Sequence, residues 1–244
     1  MGPTPKKYNL LYNIFMRKHP WVTGEYYHIY NRGVDKRDIF MSKDDLERFA
    51  LSVKEFNTIR PIGSIQGRLK DKSDSDRLKV ESLGDFNNEN NKPLVSIVNF
   101  SFLPNHFHFI LKQEVDGGVS EFAKRLLGGY TTYFNQTHER SGALFQGRFK
   151  SCVVDNEQYL IKIRPYANMN DLVHDIPEYK KHLVKTSSVE YDSMNFDIIS
   201  KKEAEELLKF YGSSENFRKE CLEIIDIIRL ERGKTSLQED DLLP

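Results

Sequence analysis

His106 and His108 stand two residues apart in the run Leu103-Pro104-Asn105-His106-Phe107-His108-Phe109. Side chains on a β-strand alternate between its faces, so two imidazoles at this spacing share one face. Same-face neighbours lie about 6.5 to 7 Å apart along a strand, which lets two ring nitrogens lean onto one ion at about 2.1 Å each. The alternation continues through Ile110 and Lys112 on the histidine face and through Phe107, Phe109 and Leu111 on the other, the period of a half-buried strand. The chemistry on offer is the binding of a divalent cation. Strands that bind nothing also carry this pattern, so a second feature has to decide.

A tyrosine with a carboxamide four residues later on a helix would put a nucleophile and a metal-binding oxygen on one face. Tyr27 with Asn31, Tyr166 with Asn170 and Tyr191 with Asn195 have this spacing. The first pair falls in an expected strand and the third in a loop-like stretch, which leaves Tyr166 and Asn170. Taken alone, this spacing usually reflects a half-buried ring beside a helix C-terminus.

Length and composition set the frame. The 244 residues suffice for one large domain, or for a domain of about 150 residues with appendages. Thirty-six basic and thirty-six acidic residues cancel, so bulk charge argues neither for nor against a polyanionic partner. Local charge is less even. Lys124, Arg125, Arg140, Arg148 and Lys150 face only Glu121 and Glu139 between Ser120 and Cys152, while the tail from Lys201 is acidic. The two cysteines, Cys152 and Cys221, form no Cys-x-x-Cys pair, which excludes a disulfide framework or zinc ribbon and suits a reducing cytoplasm. No apolar run approaches a membrane span, and Met1 to Thr23 lacks the apolar core of a signal peptide, so a soluble cytoplasmic protein with no membrane partner is expected.

The elements follow from periodicity and caps. Gly24 to Asn31 is aromatic and β-favouring and stops at Arg32-Gly33, as a strand ending in a turn would. Ser42 caps a helix with Leu46, Phe49, Ala50, Val53 and Phe56 at helical spacing, running to about Asn57. Residues 60–93 are polar and aperiodic and read as a flexible insertion. Val95 to Leu103 and His106 to Gln113 form a hairpin around Pro104-Asn105. Ser120 is expected to cap a helix with the stripe Phe122, Leu126, Tyr130 and Tyr133 or Phe134, ending near Arg140. Its Gly128-Gly129 pair costs helix stability, about 1 kcal/mol each against alanine, and so points to close packing or approach of a ligand. Ala143 to Val154 reads as a strand, and Asp155 or Asn156 caps a helix bearing Tyr159, Ile163, Tyr166 and Asn170. Two amphipathic helices close the chain, with Leu207, Leu208, Phe210 and Tyr211 and then Phe217, Cys221, Ile224, Ile225 and Ile228 at helical spacing. The order is βαββαβ plus a further helix, an α+β ferredoxin-like arrangement, which by itself fixes no function. The expected organisation is an N-terminal extension (1–23), a central domain (24–180) and a C-terminal helical appendage (181–244).

Four ordered blocks now carry a resemblance: Glu25-Tyr-Tyr-His-Ile-Tyr-Asn-Arg-Gly33, Phe102-Leu-Pro-Asn-His-Phe-His-Phe109, Gly142-Ala-Leu-Phe-Gln-Gly-Arg-Phe-Lys-Ser151 and Tyr166-Ala-Asn-Met-Asn170. They resemble the REP-associated tyrosine transposases, single-tyrosine members of the HUH (histidine, hydrophobic, histidine) endonuclease superfamily. The likeness extends from about Met16 to the Leu207–Phe217 region, apart from the polar insertion. The resemblance implies an HUH nuclease fold acting on single-stranded or hairpin DNA with a divalent ion, Mg2+ or Mn2+. It makes His106 and His108 metal ligands, Tyr166 the nucleophile and Asn170 a third ligand, with an additional catalytic helix, and it allows a homodimer as well as a monomer. The chain departs from the usual Tyr-Ile-His-Leu-Asn-Pro block by having Asn168 for histidine and Asp171 for proline, and Pro165 directly precedes the tyrosine.

The expected activity is DNA nicking and strand transfer through a 5′-phosphotyrosine intermediate. Tyrosine has a reference pKa near 10, so the phenol needs electrophilic help at the phosphate. Arg32, Lys36 and Arg37 after the first strand, with Arg148 and Lys150, are the expected phosphate contacts. Tyr30 and Phe149 are expected to stack on bases, whereas Phe145 reads as core. His28 reads as a structural strand residue rather than a ligand, and His19, His138, His174 and His182 have no partner at a telling spacing. Two alternatives stay open: a hairpin-binding module without catalysis, and a hydrolase using metal-activated water.

Overall fold

The structure, a computed structural model, describes residues 20–65, 67, 92–155, 157–174 and 176–234. Most of the 60–93 insertion and of the 1–23 extension, His19 included, lies outside these residues. The elements run β1 (Tyr26–Arg32), α1 (Lys43–Phe56), β2 (Val95–Leu103), β3 (His106–Gln113), α2 (Gly118–Thr137), β4 (Lys150–Val153), α3 (Glu157–Asn168), β5 (Lys185–Thr186), α4 (Ser188–Ser193), α5 (Lys201–Tyr211) and α6 (Ser214–Lys234). The sheet is antiparallel in the order β4-β1-β3-β2-β5. Its first four strands have the ferredoxin-like order expected from the sequence, and β5 extends it beyond β2.

Side-chain alternation buries both faces. Phe107 and Phe109 of β3 join Phe100 and Phe102 of β2 against α1 and α2, with Phe49 at 5.0 Å from Phe102 and Phe122 at 6.0 Å from Phe109, ring centre to ring centre. The apolar pattern of β2 changes phase midway, because Ile97 and Phe100 are three apart. A bulge at Val98 resolves this: Ile97 pairs Leu111 while Asn99 pairs Ile110, which returns Phe100 and Phe102 to the face of Phe109 and Phe107. On the other face, His106 and His108 lie beneath α3, and α6 packs outside α3.

Ser42 does cap α1: its side chain accepts from the Asp45 backbone N–H, and the Asp45 carboxylate accepts from the Ser42 backbone N–H. The start of α2 differs from expectation. Gly117, at φ 67°, takes the cap position and the helix begins at Gly118, two residues before Ser120. The expected strand 143–154 shrinks to Lys150–Val153, because Gly142 and Gly147 adopt positive φ (86° and 67°) and turn the chain. The preceding loop is tied to β1 by the Gly33–Phe145 bridge, by the Gln146 N–H donating to the Arg32 carbonyl at 2.8 Å and by the Asn31 Nδ2 donating to the Gly147 carbonyl at 3.3 Å.

The two glycines of α2 have opposite surroundings. A Cβ on Gly129 would meet the Phe56 ring at 2.6 Å, so this glycine sets the approach of α1 to α2; a Cβ on Gly128 would meet nothing. Gly129→Ala should therefore lower stability by about 1 to 3 kcal/mol, whereas Gly128→Ala should raise it by about 1 kcal/mol through helix propensity. Urea unfolding of the two variants checks this pair of opposite signs.

At the end of the sheet away from the histidines, Tyr26 and Lys112 hold the buried Glu203 of α5, at 2.7 and 2.9 Å. Burial and then the bond to Glu203 push the Tyr26 phenol up to about 12. This contact fastens the C-terminal helices to the sheet.

Candidate metal and nucleophile site

β3 carries His106 and His108 on one face, as their spacing requires, and both rings are buried. Their ring centres are 5.3 Å apart at 88°. The edge of the Tyr166 ring packs on His108, ring centres 5.2 Å apart at 87°. Asn170 is fully buried, and its Nδ2 lies 3.4 Å from His106 Nε2. The four side chains thus come from one chain, and no second copy is needed to bring them together.

Asn170 arrives by a route the sequence did not suggest. α3 ends at Asn168, and Met169, at φ −137° and ψ 38°, breaks the helix, so Asn170 opens a 3-10 turn instead of continuing the helical face of Tyr166. Met169 N–H still donates to the Pro165 carbonyl at 2.9 Å, which keeps the turn folded against the helix end. Pro165 sits inside α3 and supplies no backbone N–H. Asn168 serves the packing: it donates to Cys221 Sγ of α6 at 3.8 Å and accepts from Ser187 Oγ at 2.6 Å.

Both imidazoles are held through Nδ1. His106 Nδ1 lies 2.6 Å from Asn105 Oδ1. The Asn105 Nδ2 donates to the Lys36 carbonyl at 3.4 Å, which fixes the amide orientation and makes His106 Nδ1 the donor. His106 Nε2 therefore keeps its lone pair on the side of Asn170. His108 Nδ1 bonds to His28 Nε2 at 2.9 Å, and His28 Nδ1 to the Tyr159 hydroxyl at 3.1 Å. Burial pushes His28 down to about 3, so its ring is neutral near pH 7.

The Asn170 amide nitrogen, which has no lone pair for a metal, is the atom that faces His106 Nε2, at 3.4 Å. One feature supports the fit of a divalent ion. The Asn170 Oδ1 is buried and has no hydrogen-bond partner among the described residues, the state expected of a donor oxygen reserved for an ion. Among the described residues no group of three or more His, Cys, Asp or Glu side chains could hold a metal. The candidate donors here are instead two imidazoles and a carboxamide.

His28 and His174 were missed as neighbours of the site. His28 keeps its structural role but acts on His108, and the His174 ring lies 4.9 Å from His106. His138 bonds the Asp45 carboxylate at 3.0 Å. The signal for His28 was the alternation of β1: Tyr30 pairs His108 in register, so His28 shares the histidine face.

The expected phosphate contacts gather along one rim. Arg32 pairs His106 in register, and its Nε donates to Gln146 Oε1 at 2.6 Å. Lys36 and Arg37 are exposed on the turn beside the β2–β3 hairpin, and the Arg37 Nε donates to the Val34 carbonyl at 3.2 Å. Arg148 is exposed in the loop before β4 and not on the strand as expected. Lys150 Nζ lies 5.6 Å from the Tyr30 ring centre, and Tyr30 stacks on His108 at 5.4 Å. Phe145 is core, packed edge-on against Phe107 at 5.9 Å.

Among the described residues no helix is long and apolar enough to cross a membrane. None of the curated proteins compared matches this chain. Among solved structures, a REP-associated tyrosine transposase bound to a REP hairpin aligns at 13% identity and a TM-score of 0.45, over 76% of this chain and 89% of that one. A family described as "Transposase IS200 like" matches residues 75–170, a span that holds the histidine strand, Tyr166 and Asn170.

Proposed function

We propose that the chain nicks single-stranded or hairpin DNA and rejoins strands through a 5′-phosphotyrosine intermediate on Tyr166, with Mg2+ or Mn2+ held by His106, His108 and Asn170. The observation that carries this reading is the convergence in one chain of the Tyr166 ring on His108 at 5.2 Å and of Asn170 on His106 at 3.4 Å. When bound, the ion would supply positive charge to the scissile phosphate as negative charge builds on its oxygens. The Tyr166 hydroxyl would attack phosphorus, the bond to the 3′-oxygen would break, and the phenolic proton would end on the released 3′-hydroxyl. One phosphodiester replaces another, so the adduct can be reversed by a different 3′-hydroxyl without a nucleotide cofactor. Arg32, Lys36, Arg37, Arg148 and Lys150 would hold the flanking phosphates along the rim.

The closed state of the site shapes the mechanism. Tyr166 is 3% exposed and His108 2%, so a phosphodiester reaches them only if the end of α3 moves away from the sheet. That burial also favours a second reading, a hairpin-binding module that no longer cleaves. The two part in one gel: a fluorescent hairpin oligonucleotide should form an SDS-resistant adduct in Mn2+ and none in EDTA. Binding that ignores the chelator and yields no adduct would favour the second reading.

A further inference from the structure

Four side chains from four elements form a continuous line of hydrogen bonds ending at His108. Cys152 of β4 is bonded to the Tyr159 hydroxyl of α3. Tyr159 meets His28 Nδ1 at 3.1 Å, and His28 Nε2 meets His108 Nδ1 at 2.9 Å. The sheet register builds this line, since His28 pairs Cys152 across β1 and β4 and sits diagonal to His108 across β1 and β3. His28 is fully buried, and its ring lies nearly parallel to that of His108, at 9°.

A neutral imidazole carries one N–H and one lone pair. A line of neutral groups therefore runs head to tail in one of two orders. In the first, His108 Nδ1–H donates to His28, His28 Nδ1–H donates to Tyr159, and the Tyr159 hydroxyl donates to the Cys152 sulfur. In the second, every proton sits the other way: the thiol donates to Tyr159, and His108 is left with its proton on Nε2. A thiol is a weak donor and a phenol a strong one, so the second order opens on the weakest link. Only the first order leaves His108 Nε2 with a lone pair for a metal.

We infer that Cys152, Tyr159 and His28 are positioning residues whose one-way donor order fixes the Nδ1–H tautomer of His108 and so presets Nε2 as the metal-binding nitrogen. His106 reaches the same state through Asn105, in the turn before β3. The inference rests on the reading of His108 as a metal ligand. Its sharpest consequence concerns Tyr159, which is in neither the proposed ligand set nor the rim. Without the Tyr159 hydroxyl, His28 Nδ1–H loses its acceptor. His28 then favours the other tautomer, donates to His108 Nδ1 and drives the His108 proton onto Nε2.

The experiment pairs Mn2+ titration with nitrogen-15 NMR of histidine tautomers in the full chain. In metal-free wild type the His108 proton should be on Nδ1. Tyr159→Phe, which removes one oxygen, should move it toward Nε2 and weaken Mn2+ binding about 10- to 100-fold, the usual effect of removing a partner behind a metal ligand. His28→Phe should do the same, and His28→Gln, whose side-chain oxygen can accept from His108, should recover part of the loss. A merely structural role would lower the melting temperature without moving the tautomer. Tyr159→Phe binding Mn2+ as tightly as wild type, or wild-type His108 protonated on Nε2, overturns the relay. Wild type that binds no more Mn2+ than His108→Ala overturns the metal reading itself, a result the tautomer spectrum keeps separate.

Discussion

Tyr166→Phe should abolish the covalent protein–DNA adduct and leave hairpin binding within about a few-fold of wild type. The ring is what packs: it rests edge-on against His108 and is buried, so phenylalanine keeps that contact and with it the placement of the histidines. Only the attacking oxygen is lost. Cleavage should fall by at least about a thousandfold, as when other covalent nucleophiles are removed. A hydrolase using metal-activated water would show nearly unchanged cleavage in the same variant, because its nucleophile is not on the protein. Electrophoretic mobility shift, run beside the denaturing gel, separates loss of chemistry from loss of binding.

Mn2+ should stabilise the wild-type protein, and the His106→Ala, His108→Ala double variant should be indifferent to it. At about a hundredfold excess over Kd, a ligand that binds only the folded state contributes about 2.7 kcal/mol, a rise of roughly 5 to 10 °C in Tm for a chain of this size. EDTA should reverse the rise. Asn170→Ala should retain part of it, because two imidazoles remain. Differential scanning calorimetry with and without Mn2+ measures all three. An equal rise in the double variant would place the ion elsewhere.

The parts of the fold set by local chemistry were legible in the sequence. Ser42 before a helical apolar period announces a helix cap, and the alternation from His106 to Lys112 announces a strand with two imidazoles on one face. The features that escaped depend on residues far apart in the chain. His28 lies 80 residues before His108, and only strand pairing makes them neighbours. The spacing of Tyr166 and Asn170 suggested one helical face, yet the helix stops at Asn168 and a 3-10 turn delivers Asn170 to His106. Right residues were therefore paired through wrong geometry. The strand expected over 143–154 failed because periodicity is blind to the positive φ of Gly147, which spends residues on a turn. β5 and α4, of two and six residues, are too short to show any period.

The most direct measurement is the chemical identity of the protein–DNA linkage. Wild-type protein is incubated with Mn2+ and a hairpin oligonucleotide, the adduct is digested with trypsin and nuclease, and the modified peptide is read by tandem mass spectrometry. The expected product is a nucleotide joined through its 5′-phosphate to the oxygen of Tyr166, with the upstream strand released as a 3′-hydroxyl that a polymerase extends. An adduct on Tyr30 or another side chain, a linkage through a 3′-phosphate, or a cleaved strand with a free 5′-phosphate and no adduct would contradict the account.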